Sequence, residues 1–244
     1  MYGLIGKKLS HSFSADFFNK KFAEEGIDAT YHLLPLETIK DFPGLLQSNP
    51  EIKGLNVTIP YKEEVIPYLT ELSEEAREIG AVNVIKFIEE KNNLKLVGYN
   101  SDCIGFRDSL QPLLRKDIEK ALILGTGGAS KAVSYVLNNL GIDFKFVSRT
   151  PKEGQLTYED LDKQIMKDHL LIINTTPLGM FPDIKSCAPV PYEELTERHI
   201  CYDLVYNPGE TEFLKRSAKY GAITKNGLEM LHLQALAAWN IWNR

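Results

Sequence analysis

A two-unit α/β fold is the architecture this sequence predicts, and three observations carry the prediction. Short apolar runs alternate with longer amphipathic stretches along the chain, the pattern of strands feeding helices in mostly parallel sheets. Near residue 100 the chain leaves a pair of candidate strands and enters a new helix, where a unit boundary is expected. Past that point, residues 121–140 open a second unit with a strand, a glycine turn and a helix. The candidate strands in order are 2–5, 30–34, 54–57, 82–87, 94–99, 121–124, 144–147, 170–173 and 200–204. The candidate helices are 14–25, 39–47, 74–79, 104–113, 130–140, 158–164, 212–220 and 228–241. The last is apolar at helical spacing, and Trp239 and Trp242 at its end need a surface to pack on.

The composition is that of a globular chain able to bury a core without staples: 244 residues, 43% apolar and 25% charged. Three widely spaced cysteines, Cys103, Cys187 and Cys201, form neither a disulfide framework nor a CxxC metal site, which points to a reducing, cytoplasmic setting. No apolar stretch approaches a membrane span, and the first residues lack the apolar core of a signal peptide. A net charge of −5 argues against a nucleic-acid partner held by phosphate neutralisation, but leaves room for small anions in a local positive site.

Polar residues recur where the candidate strands end, the place where open α/β sheets hold ligands. After the first strand comes Ser10-His11-Ser12-Phe13-Ser14 at a helix mouth. Ser12 and Ser14 offer two hydroxyls beside unpaired backbone amides, a seat for a carboxylate. Capping of the helix by Ser14 is the plainer alternative. After the third strand, Asn56 and Thr58 alternate with apolar residues and share a face, Pro60 ends the strand, and Lys62 follows in the turn. Asn83 interrupts the apolar run 81–85 and, once buried, needs a partner, which a substrate hydroxyl can supply. Asp102 opens the next helix. Taken singly, Lys62 reads as a solvated lysine and Asp102 as a helix cap.

The glycine turn is Gly125-Thr126-Gly127-Gly128-Ala129-Ser130. Glycines there allow a tight turn and close approach of a pyrophosphate to a helix N-terminus, although Ser130 stands where a third glycine or alanine is usual. A nucleotide ribose is read about 20 residues on, at the end of the second strand. An NAD site places a carboxylate there; this chain has Ser148-Arg149-Thr150. A planar guanidinium and two hydroxyls suit a 2′-phosphate, hence NADP.

Taken together, these motifs identify a family. Ser12-x-Ser14, Asn56-Val-Thr58-x-Pro60-x-Lys62, Gly80-Ala-Val-Asn83, Gly98-x-Asn100-x-Asp102, Gly125-x-Gly-Gly-Ala129 and Ser148-Arg149-Thr150 follow one another in order. Asn174-Thr175-Thr176-Pro-Leu-Gly179, Asp203-Leu-Val-Tyr206-Asn-Pro208 and Gly227-Leu-x-Met-Leu-x-x-Gln234-Ala235 complete the set. The ensemble resembles shikimate dehydrogenase over nearly the whole chain.

The resemblance implies a substrate domain at 1–101, completed by a C-terminal helix at 226–244 that returns to it, and a Rossmann-type NADP domain at 102–225. It implies NADPH-dependent reduction of 3-dehydroshikimate to shikimate on the way to aromatic amino acids. It implies a catalytic pair, Lys62 and Asp102. Ser12 and Ser14 would hold the substrate carboxylate. Asn56, Thr58, Asn83 and Gln234 would bind the ring hydroxyls or ketone, with Asp102 sharing in this and Tyr206 close by. The cofactor would be held by Gly125, Gly127, Gly128, Ala129, Ser148, Arg149, Thr150, Thr175, Leu204 and Gly227. It further implies a cytoplasmic enzyme of small-molecule metabolism, monomeric or homodimeric, with no metal. The alternatives are a quinate/shikimate dehydrogenase of broader specificity and an inactive metabolite sensor on the same fold; retention of both Lys62 and Asp102 speaks against the sensor. The chain departs from the family pattern at Lys8, Ala15, Phe18 and Ser148.

Overall fold

The computed structural model describes residues 1–9, 12–90 and 93–244; Ser10 and His11, quoted above with the serine pair, lie outside the described residues. The chain forms two compact units, one of residues 1–104 and 234–244, the other of residues 105–233. Each has its own sheet.

The first unit carries β1 (Tyr2–Gly6), α1 (Phe13–Glu25), β2 (Tyr31–Pro35), α2 (Phe42–Ser48), β3 (Gly54–Val57), α3 (Tyr61–Glu64), β4 (Glu71–Leu72), α4 (Glu74–Ile79), β5 (Val84–Glu90) and β6 (Asn93–Tyr99). Its sheet runs β2-β1-β3-β5-β6-β4. Three of its five strand pairings are parallel, in keeping with the expectation of mostly parallel sheets, and β5 is antiparallel to both β3 and β6. Alternation along the strands sorts side chains onto two faces. Ile5, Leu55 and Ile85 enter one apolar cluster with Phe42 and Tyr61. Tyr2, Leu4, Tyr31 and Val84 enter another, with Phe18 and Phe22 of α1 and Ala235, Ala238, Ile241 and Trp242 near the C-terminus. Cross-strand register puts Leu33, Leu4, Asn56, Val84 and Tyr99 in one row on this second face, so Asn56 is a polar side chain on an otherwise largely apolar surface.

The second unit carries β7 (Lys120–Leu124), α6 (Gly128–Asn139), β8 (Asp143–Val147), α7 (Lys163–Asp168), β9 (Leu171–Asn174), β10 (Ile200–Asp203), α8 (Glu212–Lys219) and β11 (Ile223–Lys225). Its sheet is parallel throughout, in the order β11-β10-β9-β7-β8. Two helices straddle the unit boundaries, α5 (Ser101–Leu110) and α9 (Leu228–Asn243).

The helix expected at 158–164 begins later, at Lys163. Thr157 donates to the Asp160 carboxylate from its amide and its hydroxyl, at 2.7 and 2.8 Å, closing a turn instead. Asp162 then accepts from the amide of Ile165 at 2.8 Å as the N-cap of α7. The sequence reading passed over β4, α3 and β11, each of four residues or fewer and too short to show a period. Among the described residues no helix is long and apolar enough to cross a membrane.

Candidate functional site

In the first unit, Tyr61 anchors the loop that carries Lys62. Its buried ring sits in the core, and its hydroxyl donates to the Leu36 carbonyl at 2.6 Å. The Lys62 carbonyl accepts from the amide of Val82 at 2.7 Å, so the backbone of α3 is tied to the chain on both sides of the lysine. Lys62 Nζ then meets Asp102 Oδ2, in the first turn of α5, at 2.6 Å. Both side chains are mostly shielded from solvent, at 24% and 18% exposure, so the pair is neither a floppy surface contact nor fully buried. Asp102 is not the cap of α5. Asn100 fills that role, accepting from the Cys103 amide at 3.2 Å and donating to the Ala81 carbonyl at 3.0 Å. The Asp102 carboxylate is therefore available to the lysine.

The serine pair resolves similarly. Ser12 occupies the N-cap position of α1 but makes no capping bond with its side chain, and Ser14 lies inside the helix. Neither hydroxyl is taken up in the way capping would require.

Next to this pair runs a buried polar network. Tyr31 Oη donates to Asn56 Oδ1 at 2.8 Å, and Asn56 Nδ2 donates to the Asn83 carbonyl at 3.1 Å. Burial pushes the Tyr31 phenol far above its ordinary pKa, with a hydrogen bond to the Ser14 side chain opposing the shift. Asn83 finds protein partners: its Oδ1 accepts from the Ser101 amide at 2.6 Å, and its Nδ2 donates to Ser101 Oγ at 3.0 Å. Ser101 Oγ also donates to Gln234 Oε1 of α9, at 3.4 Å. Hydrogen bonds thus link Asn56, Asn83, Ser101 and Gln234, and Asp102 follows Ser101 in the chain. Tyr31 and Ser101, which sequence reasoning missed, belong to this network. Thr58 sits at the exit of β3, where its amide donates to the Ile5 carbonyl at 2.9 Å.

The second unit carries the other candidates. Gly125 has φ +98°, and a Cβ there would lie 2.7 Å from Thr176 Cγ2, so this turn needs glycine on both counts. A Cβ on Gly127 or Gly128 would meet nothing within 4 Å, which leaves the backbone at the start of the twelve-residue α6 open to a ligand. Ala129 follows within the first turn of that helix, whose amide dipoles favour an anion. Ser130 substitutes for the usual small residue by turning its hydroxyl onto the Gly127 carbonyl at 2.7 Å. Thr175 hooks the end of β9 to β7, donating through Oγ1 to the Leu124 carbonyl at 2.7 Å. Gly227 packs directly on the Leu204 carbonyl, which a Cβ would strike. At the end of β8, Ser148 is buried and accepts from the Thr150 amide at 3.2 Å, while Arg149 and Thr150 are exposed. This arrangement fits a dinucleotide carrying a 2′-phosphate, with open backbone for the pyrophosphate and an exposed guanidinium for the extra charge. Tyr206, exposed after β10, also belongs to this unit, although it was grouped above with the substrate residues. Among the described residues no cluster of His, Cys, Asp and Glu could hold a metal.

Fold and site together define a dinucleotide-binding α/β chain with a lysine–carboxylate pair on a separate unit. The profile described as "Shikimate dehydrogenase substrate binding domain" matches residues 4–85. A shikimate dehydrogenase (NADP(+)) of Caldicellulosiruptor saccharolyticus is 38% identical, covering 98% of this chain and 90% of the relative. The crystal structure of a chorismate mutase/shikimate 5-dehydrogenase fusion protein from Clostridium acetobutylicum is 39% identical, with a TM-score of 0.85 over 99% of this chain and 90% of that one. The Thermus thermophilus shikimate 5-dehydrogenase in complex with NADP(H) and shikimate is 28% identical, with a TM-score of 0.84 over 99% and 92%. The chain belongs to the shikimate dehydrogenase family.

Proposed function

We propose that this chain catalyses the reversible NADPH-dependent reduction of 3-dehydroshikimate to shikimate. The observation that carries the reading is the Lys62–Asp102 pair, shielded and 2.6 Å apart, on the unit that matches the substrate-binding profile. NADPH supplies the hydride, which goes to the carbonyl carbon. Negative charge develops on the carbonyl oxygen, and the Lys62 ammonium stabilises it and delivers the proton. Asp102 holds Lys62 in place and accepts a hydrogen bond from a substrate hydroxyl. Ser12 and Ser14 donate to the substrate carboxylate, and Asn56, Thr58, Asn83 and Gln234 take the remaining ring oxygens, with Tyr206 as a further substrate-binding residue. In the reverse direction Lys62 accepts the hydroxyl proton as hydride leaves.

In this reading residues 1–101 with the C-terminal helix form the substrate domain and 102–225 the NADP domain. Gly125, Gly127, Gly128 and Ala129 would hold the pyrophosphate, Ser148, Arg149 and Thr150 the 2′-phosphate, and Thr175, Leu204 and Gly227 would also take part in holding the cofactor. The enzyme acts in the cytoplasm as a monomer or homodimer. Following NADP- and NAD-linked oxidation of shikimate, quinate and shikimate methyl ester at the nicotinamide absorbance tests the reading. Shikimate with NADP should be the preferred pair. Quinate, with an added hydroxyl beside the carboxylate, should trail by about tenfold or more, because a polar group left unsatisfied on burial costs about 1–3 kcal/mol. Comparable rates on the ester would remove the carboxylate seat, and no turnover of shikimate would remove the reading.

A further inference from the structure

The buried tyrosine on β2 is not explained by packing alone. Its ring is 3% exposed and sits in the aromatic cluster, stacked 4.9 Å from Phe18 and tilted towards Trp242 at 6.5 Å. A phenylalanine would fill that space equally well. The hydroxyl instead carries the ring's one polar atom through the cluster to the row of the sheet that holds Asn56. A buried hydroxyl is costly unless its hydrogen bonds are made, so its placement calls for a partner that needs it.

That partner is the Asn56 carboxamide. A side-chain amide has two N–H donors and an oxygen with two lone pairs. Here one N–H goes to the Asn83 carbonyl and one lone pair receives the Tyr31 phenol, 3.1 and 2.8 Å away. Turning the amide over would set its oxygen against the Asn83 carbonyl and waste the phenol proton, so the two contacts together select one orientation. One N–H and one lone pair then stand in a fixed plane for a ligand.

We infer that Tyr31 is a positioning residue of the substrate site, whose phenol holds the Asn56 carboxamide in the orientation that receives a ring hydroxyl. The inference rests on the proposed function. Its test is Tyr31→Phe, which keeps the ring contacts and removes only the oxygen. With wild-type turnover of shikimate established, the variant should raise KM for shikimate about tenfold, change kcat less than threefold, and leave KM for NADP unaltered. Asn56→Ala should show a similar rise, and Tyr31→Phe/Asn56→Ala should be no worse than Asn56→Ala alone, because the phenol acts through the amide. In the ligand-free protein, the Asn56 side-chain amide protons should shift and broaden in the nitrogen-resolved NMR spectrum of the variant. A KM within twofold of wild type, additive losses in the double variant, or an unchanged Asn56 amide signal would each overturn the inference. A lower melting temperature with KM intact would make Tyr31 structural only. Failure of the unmutated enzyme to oxidise shikimate would overturn the inference together with the functional reading, and it is read on a different protein from the other outcomes.

Discussion

Lys62 and Asp102 lie 40 positions apart in the chain and meet at 2.6 Å. An exposed ion pair contributes about 0–1 kcal/mol to stability; this one keeps partial access to solvent, so the fold does not hang on it. Tyr61 and the Val82 amide fix the backbone around the lysine independently of its charge. Lys62→Ala should therefore fold normally while kcat falls by about a hundredfold or more, the range typical of a lost general acid–base. KM for shikimate should move far less. Asp102→Ala should be impaired comparably, and the double variant should be little worse than either single one, as for residues acting as a unit. Steady-state kinetics on the three variants decides this, and near-normal turnover by Lys62→Ala would exclude the lysine as acid–base.

Among the elements, α9 is the one whose placement matters most to the site, because Gln234 lies on it and Trp242 secures its far end. Trp242 is 7% exposed, lies 4.8 Å from Tyr2 and 5.2 Å from Phe18, and donates from Nε1 to the Ile85 carbonyl at 3.1 Å. Gly54 allows this close approach, since a Cβ there would stand 2.5 Å from the indole. Trp242→Ala should cost about 3–5 kcal/mol in urea unfolding, while the half-buried Trp239→Ala should cost less. In the second unit, the buried Asp203 ties three elements together. Its carboxylate accepts from Asn174 of β9 at 2.9 Å, from the Val205 amide at 3.0 Å, and from Thr211, the cap of α8, at 2.5 Å. Burial lifts its pKa to about 6 despite these donors. The folded state then binds more protons than the unfolded one between pH ~4 and ~6, so this group makes stability fall as pH rises through that window. Asp203→Asn should flatten that part of the profile in urea titrations from pH 4 to 7, and a slope equal to that of wild type would show that the carboxyl does not titrate there.

Over the whole molecule, what could be read from the sequence divides by the range of the interaction. The glycine turn at 125–128, the paired serines and the arginine after β8 are local signals, and the turn, the uncapped hydroxyls and the exposed guanidinium lie where those signals put them. The Tyr31–Asn56 and Asn83–Ser101 bonds join positions 25 and 18 residues apart, and nothing in either segment alone announces its partner. Asn100 and Asp102 both suit a helix start, and the bonds of Asn100 to the Cys103 amide and the distant Ala81 carbonyl settle which of them caps. The same divide shapes the behaviour of the two units. Apart from Tyr206, the substrate candidates lie on the first unit and the nucleotide candidates on the second, so each ligand should stabilise the protein through its own set. At a hundredfold excess over Kd, a ligand that binds only the folded form adds about 2.7 kcal/mol. Arg149→Ala removes one charge-assisted contact, worth about 1.5–3 kcal/mol, so its Kd for NADP should rise about ten- to a hundredfold. The same NADP concentration should then stabilise it by only about 0.4–1.4 kcal/mol, with its response to shikimate unchanged and its weak response to NAD unaltered. Ser12→Ala/Ser14→Ala should behave in reverse, losing stabilisation by shikimate and keeping that by NADP. Thermal unfolding of each variant with each ligand measures this. If either variant lost both responses equally, its residues would support the fold of their unit rather than bind a ligand.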